Sequence, residues 1–336
     1  MMQVELHQQT SHSRDRVLVI GGWGRCGSTL LDMMLGQVPG IVSAGEVREL
    51  WLRGCVENRP CGCGAPFDAC SFWAKVGEEA FGGWQNLDLA RILRFRYRWD
   101  RPWAVPWLAR ADGQRDGRGP FQADLAVYTD ALSRLFAAAR KVSGARVVVD
   151  SSKIPTHTLV LHRTAGVDIR QVHLVRDSRG VAFSNTKQVT KRASSGEPTL
   201  LPRYGAVAAA ARYDFHNGLT GWTRRLGVSY LRLRYEDLIA EPEACLRTVL
   251  AHAGEDPSIT LPFLAEGRVL LGENHLVEGN PVRFSRGTVA LLTDDQWRTR
   301  LPSRARRTVT VLTLPLLAAY GYPIGHRSTG CPAAQV

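Results

Sequence analysis

The sequence predicts an α/β fold, a single domain of three layers in which helices cover both faces of a central parallel sheet. Short segments rich in β-branched residues alternate with helical stretches, which is typical of parallel sheets. Apolar residues also recur at helical spacing between residues 125 and 139, before a stop at Gly144. Ligands of such folds bind where the strands end at their carboxyl side. The predicted strands are residues 17–22, 146–150, 169–175 and 228–234.

Length and composition agree with one domain. The chain has 336 residues, of which 44% are hydrophobic, and this is enough for one substantial core. We expect flexible termini at residues 1–15 and 326–336 around a domain at residues 16–325. Residues 51–120 are rich in Trp and Cys and have no clear strand pattern. They predict an insertion of helices and loops that covers the substrate, in which aromatic side chains stack on a ligand or pack among themselves.

The net charge points to an anionic ligand without identifying it. The formal charge is +12, and clustered basic residues attract polyanions such as nucleic acid. The arginines are scattered over the whole chain, so we expect no nucleic-acid partner. Residues 1–15 are polar and resemble no targeting segment, and the apolar run 309–323 is interrupted by Pro315, which favours a buried helix. We therefore expect a cytoplasmic protein without a membrane span.

The most informative segment runs from Arg16 to Leu31 and reads RVLVIGGWGRCGSTLL. It contains an apolar strand, a glycine-rich turn and the first turn of a helix. Glycines allow the tight turn, and backbone amides at a helix amino terminus bind anions. A loop that binds a magnesium triphosphate ends in Gly-Lys-Ser/Thr, whereas the cation here is Arg25, which precedes Gly27. The segment predicts a P-loop-like anion site for a different ligand.

Two motifs resemble those of sulfotransferases that use 3′-phosphoadenosine 5′-phosphosulfate (PAPS). RCGSTL resembles the 5′-phosphosulfate loop of that family. RDSRGVAFS, after another predicted strand, resembles its 3′-phosphate motif, with Arg176 at the strand end and Ser184 eight positions later. The resemblance implies a P-loop-like fold and sulfuryl transfer from PAPS to an acceptor hydroxyl, with no metal required. The expected cofactor-binding residues of the first loop are Arg25, Cys26, Gly27, Ser28, Thr29 and Leu30.

Further fragments resemble the tyrosylprotein and bacterial carbohydrate sulfotransferases. Gly45 and Glu46 follow the first helix at the spacing where these relatives place their catalytic base. The fragment DSSKIP resembles a motif of the family, and the resemblance implies that Lys153 is a second cation near the sulfuryl group. RYEDL implies that Tyr235 contacts adenine, and GNPVRF implies that Arg283 closes over the cofactor.

Sulfuryl transfer resembles phosphoryl transfer, in which the protein contributes alignment and charge stabilisation. The resemblance therefore implies that Arg25 neutralises charge on the leaving phosphate, and that Arg176 and Ser184 grip the 3′-phosphate. Glu46 would take the proton from the acceptor hydroxyl. Two histidines are alternative bases: His157 and His275.

Two other function classes stay open. A P-loop kinase or nucleotide hydrolase would need a lysine on the terminal phosphates and an acidic magnesium site, and the absence of Gly-Lys-Ser/Thr from the sequence argues against it. A basic polyanion-binding protein without catalysis would bind with steep salt dependence and no preference for adenosine 3′,5′-bisphosphate. The resemblance implies an acceptor that is a small molecule or glycan, and sugars, glycolipids, phenols and natural products all fit.

The cysteines need a separate interpretation. Cys55, Cys61, Cys63 and Cys70 lie close together in the insertion and could hold zinc or form disulfides. However, Cys-x-Cys is tighter than the usual zinc knuckle, and a cytoplasmic location argues against disulfides. We therefore expect a reduced, solvent-facing cluster without metal. Cys26, inside the anion loop, is expected to pack rather than to act as a nucleophile.

Overall fold

The computed structural model describes residues 14–109, 119–187, 190–192, 198–200 and 204–324. The expected flexible termini lie outside these residues, apart from Arg14 and Asp15. Residues 110–118 of the expected insertion also lie outside them.

Strands of the described chain form one parallel sheet and two small antiparallel ones. In chain order they are β1 (Asp15–Gly21), β2 (Ile41–Gly45), β3 (Val147–Lys153), β4 (Val167–Val175), β5 (Thr190–Arg192), β6 (Pro198–Leu200), β7 (Ser229–Arg234), β8 (Leu264–Ala265), β9 (Arg268–Leu271) and β10 (Gly287–Ala290). The parallel sheet has the order β2-β3-β1-β4-β7. Strands β8, β9 and β10 form an antiparallel sheet, and β5 pairs with β6. The predicted α/β class with a central parallel sheet is confirmed.

Helices connect the strands. In chain order they are α1 (Ser28–Leu35), α2 (Val47–Glu49), α3 (Ser71–Phe81), α4 (Leu89–Arg98), α5 (Val105–Ala109), α6 (Pro120–Ser143), α7 (Pro155–His162), α8 (Ser178–Thr186), α9 (Ala206–Trp222), α10 (Tyr235–Ala240), α11 (Pro242–Ala253), α12 (Trp297–Arg300), α13 (Ser303–Leu312) and α14 (Leu314–Ala319). Helix α6 is the predicted one. It ends where Gly144 adopts a left-handed conformation with φ 68°, as expected for a glycine that follows a helix.

The three layers follow from the alternation of side chains along the strands. In β1, Val17 and Val19 belong to a core cluster on one face of the sheet, while Leu18 and Ile20 belong to the cluster on the other face. All four side chains are at most 1% exposed. Helices α3, α4 and α6 supply residues to the first cluster, and α1 and α11 supply residues to the second. Both faces are therefore covered, which explains the almost continuously apolar sequence of this strand.

The insertion forms a helical layer whose aromatic side chains join the core cluster on one face of the sheet. Trp51 and Trp73 are fully buried, in the cluster that also contains β1 side chains. Two of its cysteines, Cys61 and Cys70, are only 1% exposed. The expectation of a solvent-facing cysteine cluster is therefore wrong for these two residues, because aromatic side chains such as Phe67 pack around them.

The apolar run near the carboxyl end forms two short helices, α13 and α14, which Thr313 separates. Val309 and Leu317 are buried as expected, but Val311 is 70% exposed, so the run is only partly a buried helix. Within the described residues, no helix has the length and apolar character needed to cross a membrane.

Asp32 is a buried carboxyl group in α1, directly behind the glycine-rich turn. Its Oδ2 accepts a hydrogen bond of 2.6 Å from the Ser151 hydroxyl of β3, which ties the helix to the sheet. Its Oδ1 has no hydrogen-bond partner among the described residues. Burial disfavours the charged form and raises the pKa of Asp32 to about 7, although the bond from Ser151 opposes the shift.

We expect the Asp32→Asn variant to flatten the pH dependence of stability. In the unfolded chain Asp32 ionises near pH 3.8, whereas in the folded chain it keeps its proton up to about pH 7. Its contribution to the free energy of unfolding is therefore complete below the lower pKa and falls by up to about 4 kcal/mol as the pH rises through the higher one. Thermal unfolding of both proteins across this range measures the effect. The exposed Asp130→Asn variant is the control, and an identical pH profile for Asp32→Asn and the parent would contradict the buried carboxyl.

Candidate functional site

A cleft of about 330 Å³ lies at the carboxyl edge of the parallel sheet. Each of the five strands ends beside it. The glycine-rich loop follows β1, Glu46 follows β2, Lys153 ends β3, Arg176 follows β4 and Tyr235 follows β7. The cleft is lined by Gly24, Arg25, Gly27, Ser28, Thr29, Leu30, Glu46, Lys153, Arg176, Ser184, Tyr235, Gly279, Asn280 and Val282.

The loop at the centre of the cleft depends on two residues with left-handed backbone. Arg25 has φ 71°, and Gly27, which precedes α1, has φ 96°. A Cβ atom at Gly27 would lie only 2.7 Å from Cε2 of Tyr235, so glycine is needed both for conformation and for space. The loop then passes into α1, whose first backbone N–H groups have no partners within the helix. This end of the helix suits an anion.

Glu46 and Lys153 form an ion pair at the β2–β3 side of the cleft. Lys153 Nζ lies 2.6 Å from Glu46 Oε1 and also donates to the Ser151 carbonyl oxygen at 2.9 Å. Their side chains are only 14% and 18% exposed. Burial alone would lower the pKa of Lys153, but the nearby carboxylate of Glu46 outweighs burial and raises it. Lys153 is therefore a cation at neutral pH. It lies beside the Glu46 carboxylate, whose oxygens can accept hydrogen bonds.

Two arginines occupy the side of the cleft opposite the ion pair: Arg25 in the glycine-rich loop and Arg176 after β4. Arg176 donates to the Arg25 carbonyl oxygen at 3.0 Å, and Arg25 donates to the Ser184 carbonyl oxygen at 2.9 Å. The Arg176 guanidinium also stacks on the Tyr235 ring, 4.6 Å from its centroid. Its charge is paired with Asp294, at 3.2 Å. The two motifs that are distant in sequence are thus linked directly.

Charge in this half of the cleft is predominantly positive. Burial lowers the pKa of Arg25, and the charge of Arg176 lowers it further, while Asp294 opposes the shift. Asp294 also accepts from Lys187 at 3.0 Å. Burial alone would raise the pKa of Asp294, but Lys187 and Arg176 outweigh burial and lower it. One carboxylate thus lies among three cations, and an anionic ligand would relieve their mutual repulsion.

A late segment of the chain closes the β2 side of the cleft. Val277 forms a parallel bridge with Gly45, the last residue of β2, and its carbonyl oxygen accepts from the Glu46 amide at 2.9 Å. Three residues later the segment reaches α1, where the Asn280 amide donates to the Thr29 hydroxyl at 3.2 Å. The segment therefore fixes the backbone of Glu46 to the anion loop.

Most of the predicted site residues line the cleft, with two exceptions. Cys26 is 2% exposed and packs in the apolar cluster behind the loop, as expected for a packing residue. Arg283 is not among the cleft-lining residues, and its guanidinium donates to the carbonyl oxygens of Gly279 and Pro60 at 3.1 and 3.2 Å. That Arg283 closes over a ligand stays a prediction.

The alternative bases also lie elsewhere. His157 is fully buried and bonded to Asp150 Oδ2 at 2.8 Å, and His275 lies against the thiol of Cys70 at 3.4 Å. Neither lines the cleft in the described part of the chain. The sequence interpretation did not include Asn280 and Asp294. GNPVRF could have indicated Asn280, whereas nothing near Asp294 in sequence marks it.

Comparison with known families finds a match around the second motif, Arg176 to Ser184, and the matched range does not include the glycine-rich loop. Residues 109–258 match the sequence model described as the sulfotransferase family. This part of the chain, somewhat less than half of it, is similar to the sulfotransferase family. The match includes Lys153, Arg176, Ser184 and Tyr235, and it confirms the recognition of the family from the sequence motifs. The tyrosylprotein and carbohydrate subtype stays a prediction.

Solved sulfotransferase structures resemble the chain at low identity. The sulfotransferase domain of the Synechococcus PCC 7002 olefin synthase matches with 18% identity and a TM-score of 0.48, over 93% of this chain and 96% of that domain. The sulfotransferase domain from the curacin biosynthetic pathway matches with 16% identity and a TM-score of 0.44, over 91% and 97%. A Mycobacterium avium sulfotransferase matches with 12% identity and a TM-score of 0.41, over 92% and 78%. Comparison with curated proteins by sequence finds no match.

We expect Gly27→Ala to destabilise the protein, because the new methyl group meets the Tyr235 ring and the backbone is left-handed. Strain and overpacking together cost roughly 2 to 4 kcal/mol, which urea denaturation measures. The matched control is Gly24→Ala, where a Cβ atom meets nothing within 4 Å. Equal stability of the two variants would show that Gly27 is not held against Tyr235.

Proposed function

We propose that the chain is a PAPS-dependent sulfotransferase that moves the sulfuryl group to the hydroxyl of a small molecule or glycan. The observation that carries this proposal is the arrangement along the carboxyl edge. A carboxylate–lysine pair, Glu46 and Lys153, lies at one side, the anion loop lies in the middle, and a second anion site at Arg176 lies at the other side. A donor with a 5′-phosphosulfate and a 3′-phosphate has two anionic groups separated in this way. PAPS supplies the activated sulfuryl group.

The loop residues 25–30 fit a phosphosulfate. Gly27 gives the loop its left-handed turn against the Tyr235 ring, and α1 begins directly after it. We assign to the loop amides and Arg25 the binding of the 5′-phosphosulfate, with Arg25 neutralising charge on the leaving phosphate. Lys153, held in the cleft by Glu46, supplies a second positive charge near the transferred group.

Arg176 and Ser184 fit the 3′-phosphate. Both line the cleft, and the guanidinium of Arg176 is 8% exposed, so a charged hydrogen bond to phosphate would form in a largely desolvated place. Tyr235 lies beneath this guanidinium with its ring at the cleft surface, where it can contact the adenine. The Asp294 carboxylate would exchange for phosphate as the partner of Arg176.

Glu46 is the proposed general base. It is the carboxylate among the cleft-lining residues of the described chain, and its backbone is fixed by Val277 on one side and its side chain by Lys153 on the other. A positioned carboxylate of this kind can take the proton from an acceptor hydroxyl as the oxygen attacks sulfur in line.

The remaining expectations belong to the same proposal. We propose a cytoplasmic enzyme whose catalytic domain spans residues 16–325 and whose reaction requires no metal. The insertion, residues 51–120, is proposed to contact the acceptor, with Trp103 and Trp107 exposed on it at 50% and 48%.

Incubating the protein with PAPS and cell extract, then searching by mass spectrometry for products heavier by one sulfuryl group, tests the activity and identifies the acceptor. A kinase or nucleotide hydrolase would instead yield phosphorylated products or hydrolyse ATP.

We expect Arg176→Ala to remove the preference for a 3′-phosphate. The parent should bind adenosine 3′,5′-bisphosphate more tightly than AMP without magnesium, and the variant should lose about 2 to 5 kcal/mol of that affinity, because the phosphate loses a desolvated charged partner. Calorimetry with both nucleotides measures the difference. Binding of AMP should change much less.

An exposed arginine provides the control for Arg176→Ala. Arg304→Ala lies in α13 and removes the same charge from a residue that does not line the cleft. If both variants weaken binding equally, the nucleotide responds to net charge alone, as it would in a nonspecific polyanion-binding protein. Equal affinity of the parent for AMP and the bisphosphate would remove the role assigned to Arg176 and Ser184.

We expect Glu46→Gln to lower turnover roughly 10²- to 10⁴-fold while nucleotide affinity is kept, because a general base is lost but the anion sites are not. Single-turnover transfer at saturating PAPS separates the chemical step from binding. Glu266→Gln, an exposed glutamate between β8 and β9, is the matched control and should keep full activity. An unchanged transfer rate in Glu46→Gln would sink the assignment of the base.

A further inference from the structure

Four potential metal ligands meet at one place outside the cleft. Cys61, Cys63 and Cys70 come from the insertion, and His275 comes from the late segment that bridges to β2. Their ligand atoms all lie within 4.8 Å of one another. Cys61 and Cys70 are buried, and the other two residues are partly exposed. The sequence places His275 far from the cysteines, and the fold brings them together.

Four of the six distances between the ligand atoms fit a tetrahedral zinc ion, and the other two are at most 4.8 Å. The thiol sulfurs of Cys70 and Cys61 are 3.6 Å apart, and those of Cys63 and Cys70 are 3.8 Å apart. His275 Nδ1 lies 3.4 Å from the Cys70 sulfur and 3.8 Å from the Cys61 sulfur. With Zn–S bonds of about 2.3 Å and Zn–N bonds of about 2.0 Å, a tetrahedral ion separates two sulfurs by about 3.8 Å and a sulfur from a nitrogen by about 3.5 Å.

Disulfide chemistry fits the same group less well. A disulfide brings two sulfurs to about 2.05 Å, whereas the closest two here are 3.6 Å apart. Pairing any two of the three cysteines would also leave one thiol and the histidine without a common role. Cys55, the fourth cysteine of the insertion, is not a member of the group and packs against the apolar residues of the core.

We propose that Cys61, Cys63, Cys70 and His275 bind one structural Zn²⁺ ion. With four protein ligands the coordination shell is closed, which is typical of structural rather than catalytic zinc. The His275 ring stacks on Phe72 at a centroid distance of 4.9 Å. The backbone carbonyl oxygen of His275 accepts from Trp73 Nε1 at 2.8 Å. These contacts orient the imidazole toward the thiols, as outer contacts do in other metal sites.

The ion would fasten the insertion to the backbone that supports Glu46. Next to Cys61, the Gly62 amide donates to the Leu276 carbonyl oxygen at 3.0 Å. One residue further, Val277 pairs with Gly45 and accepts from the Glu46 amide. The zinc site therefore lies directly behind the strand end that carries Glu46, and its proposed presence does not depend on the donor or acceptor of the reaction.

Metal analysis of the full chain tests the zinc site. We expect the protein, purified without a histidine tag from zinc-containing medium, to hold one zinc ion per chain by inductively coupled plasma mass spectrometry. Cys63→Ser and His275→Ala should each lose most of this zinc. Cys55→Ser, in the same insertion, should keep it. Zinc content that is equal in all four proteins, or negligible in the parent even after zinc is added, would overturn the proposal.

If the ligand variants fail to fold, cobalt substitution of the parent protein tests the proposed zinc site. In the intact parent, Co²⁺ should give the strong visible d–d bands of a tetrahedral site and a thiolate charge-transfer band. Weak bands alone, which octahedral oxygen ligands produce, would overturn the proposal. So would a disulfide between any two of the three cysteines, found by peptide mapping of the native protein under conditions that block exchange.

Discussion

The shared direction of the five parallel strands is the constraint on which the rest of the structure depends. Because all five end at one edge of the sheet, the residue that follows each strand arrives beside the residues that follow its neighbours. Four residues that are not adjacent to the glycine-rich loop in sequence thus lie beside it in the fold: Glu46, Lys153, Arg176 and Tyr235. The strands are held by two apolar clusters, one on each face, so the core places the strand ends, and polar contacts between the cleft residues then fix their side chains.

Two of the cleft cations have backbone conformations that their residue types disfavour. Arg25 and Lys153 have φ values of 71° and 65°, and left-handed backbone at a non-glycine residue costs of order 1 to 3 kcal/mol. The surrounding structure fixes both: Arg25 by the bond from Arg176 to its carbonyl oxygen, and Lys153 by its ion pair with Glu46. The direction of each positive charge is therefore set before any ligand arrives, which is the preorganisation that electrostatic catalysis needs.

The sequence was informative where the signal is local. Strands β1, β3, β4 and β7, the glycine-rich loop and Glu46 could be predicted, because periodicity and short motifs reside in consecutive residues. Edge strand β2 has only five residues, two of them Ser43 and Ala44, and gives little strand signal. The meeting of His275 with the cysteines, the pairing of Asp294 with Arg176 and the inward turn of Arg283 are products of tertiary packing. Each joins segments that are distant in sequence, so no local pattern could indicate them.

The pairing of Arg176 with Asp294 has a consequence for the release of product. If a phosphate takes the place of the carboxylate on Arg176, as the proposed function requires, Asp294 stays nearby because Lys187 also binds it. When the nucleotide departs, the carboxylate can return to the guanidinium, so the buried cation is not left without a counter-ion at any stage. Exchange of one anion for another costs less than exposing a bare charge in a desolvated place. If the proposed function holds, the same carboxylate would compete with the donor and would favour release of the product nucleotide.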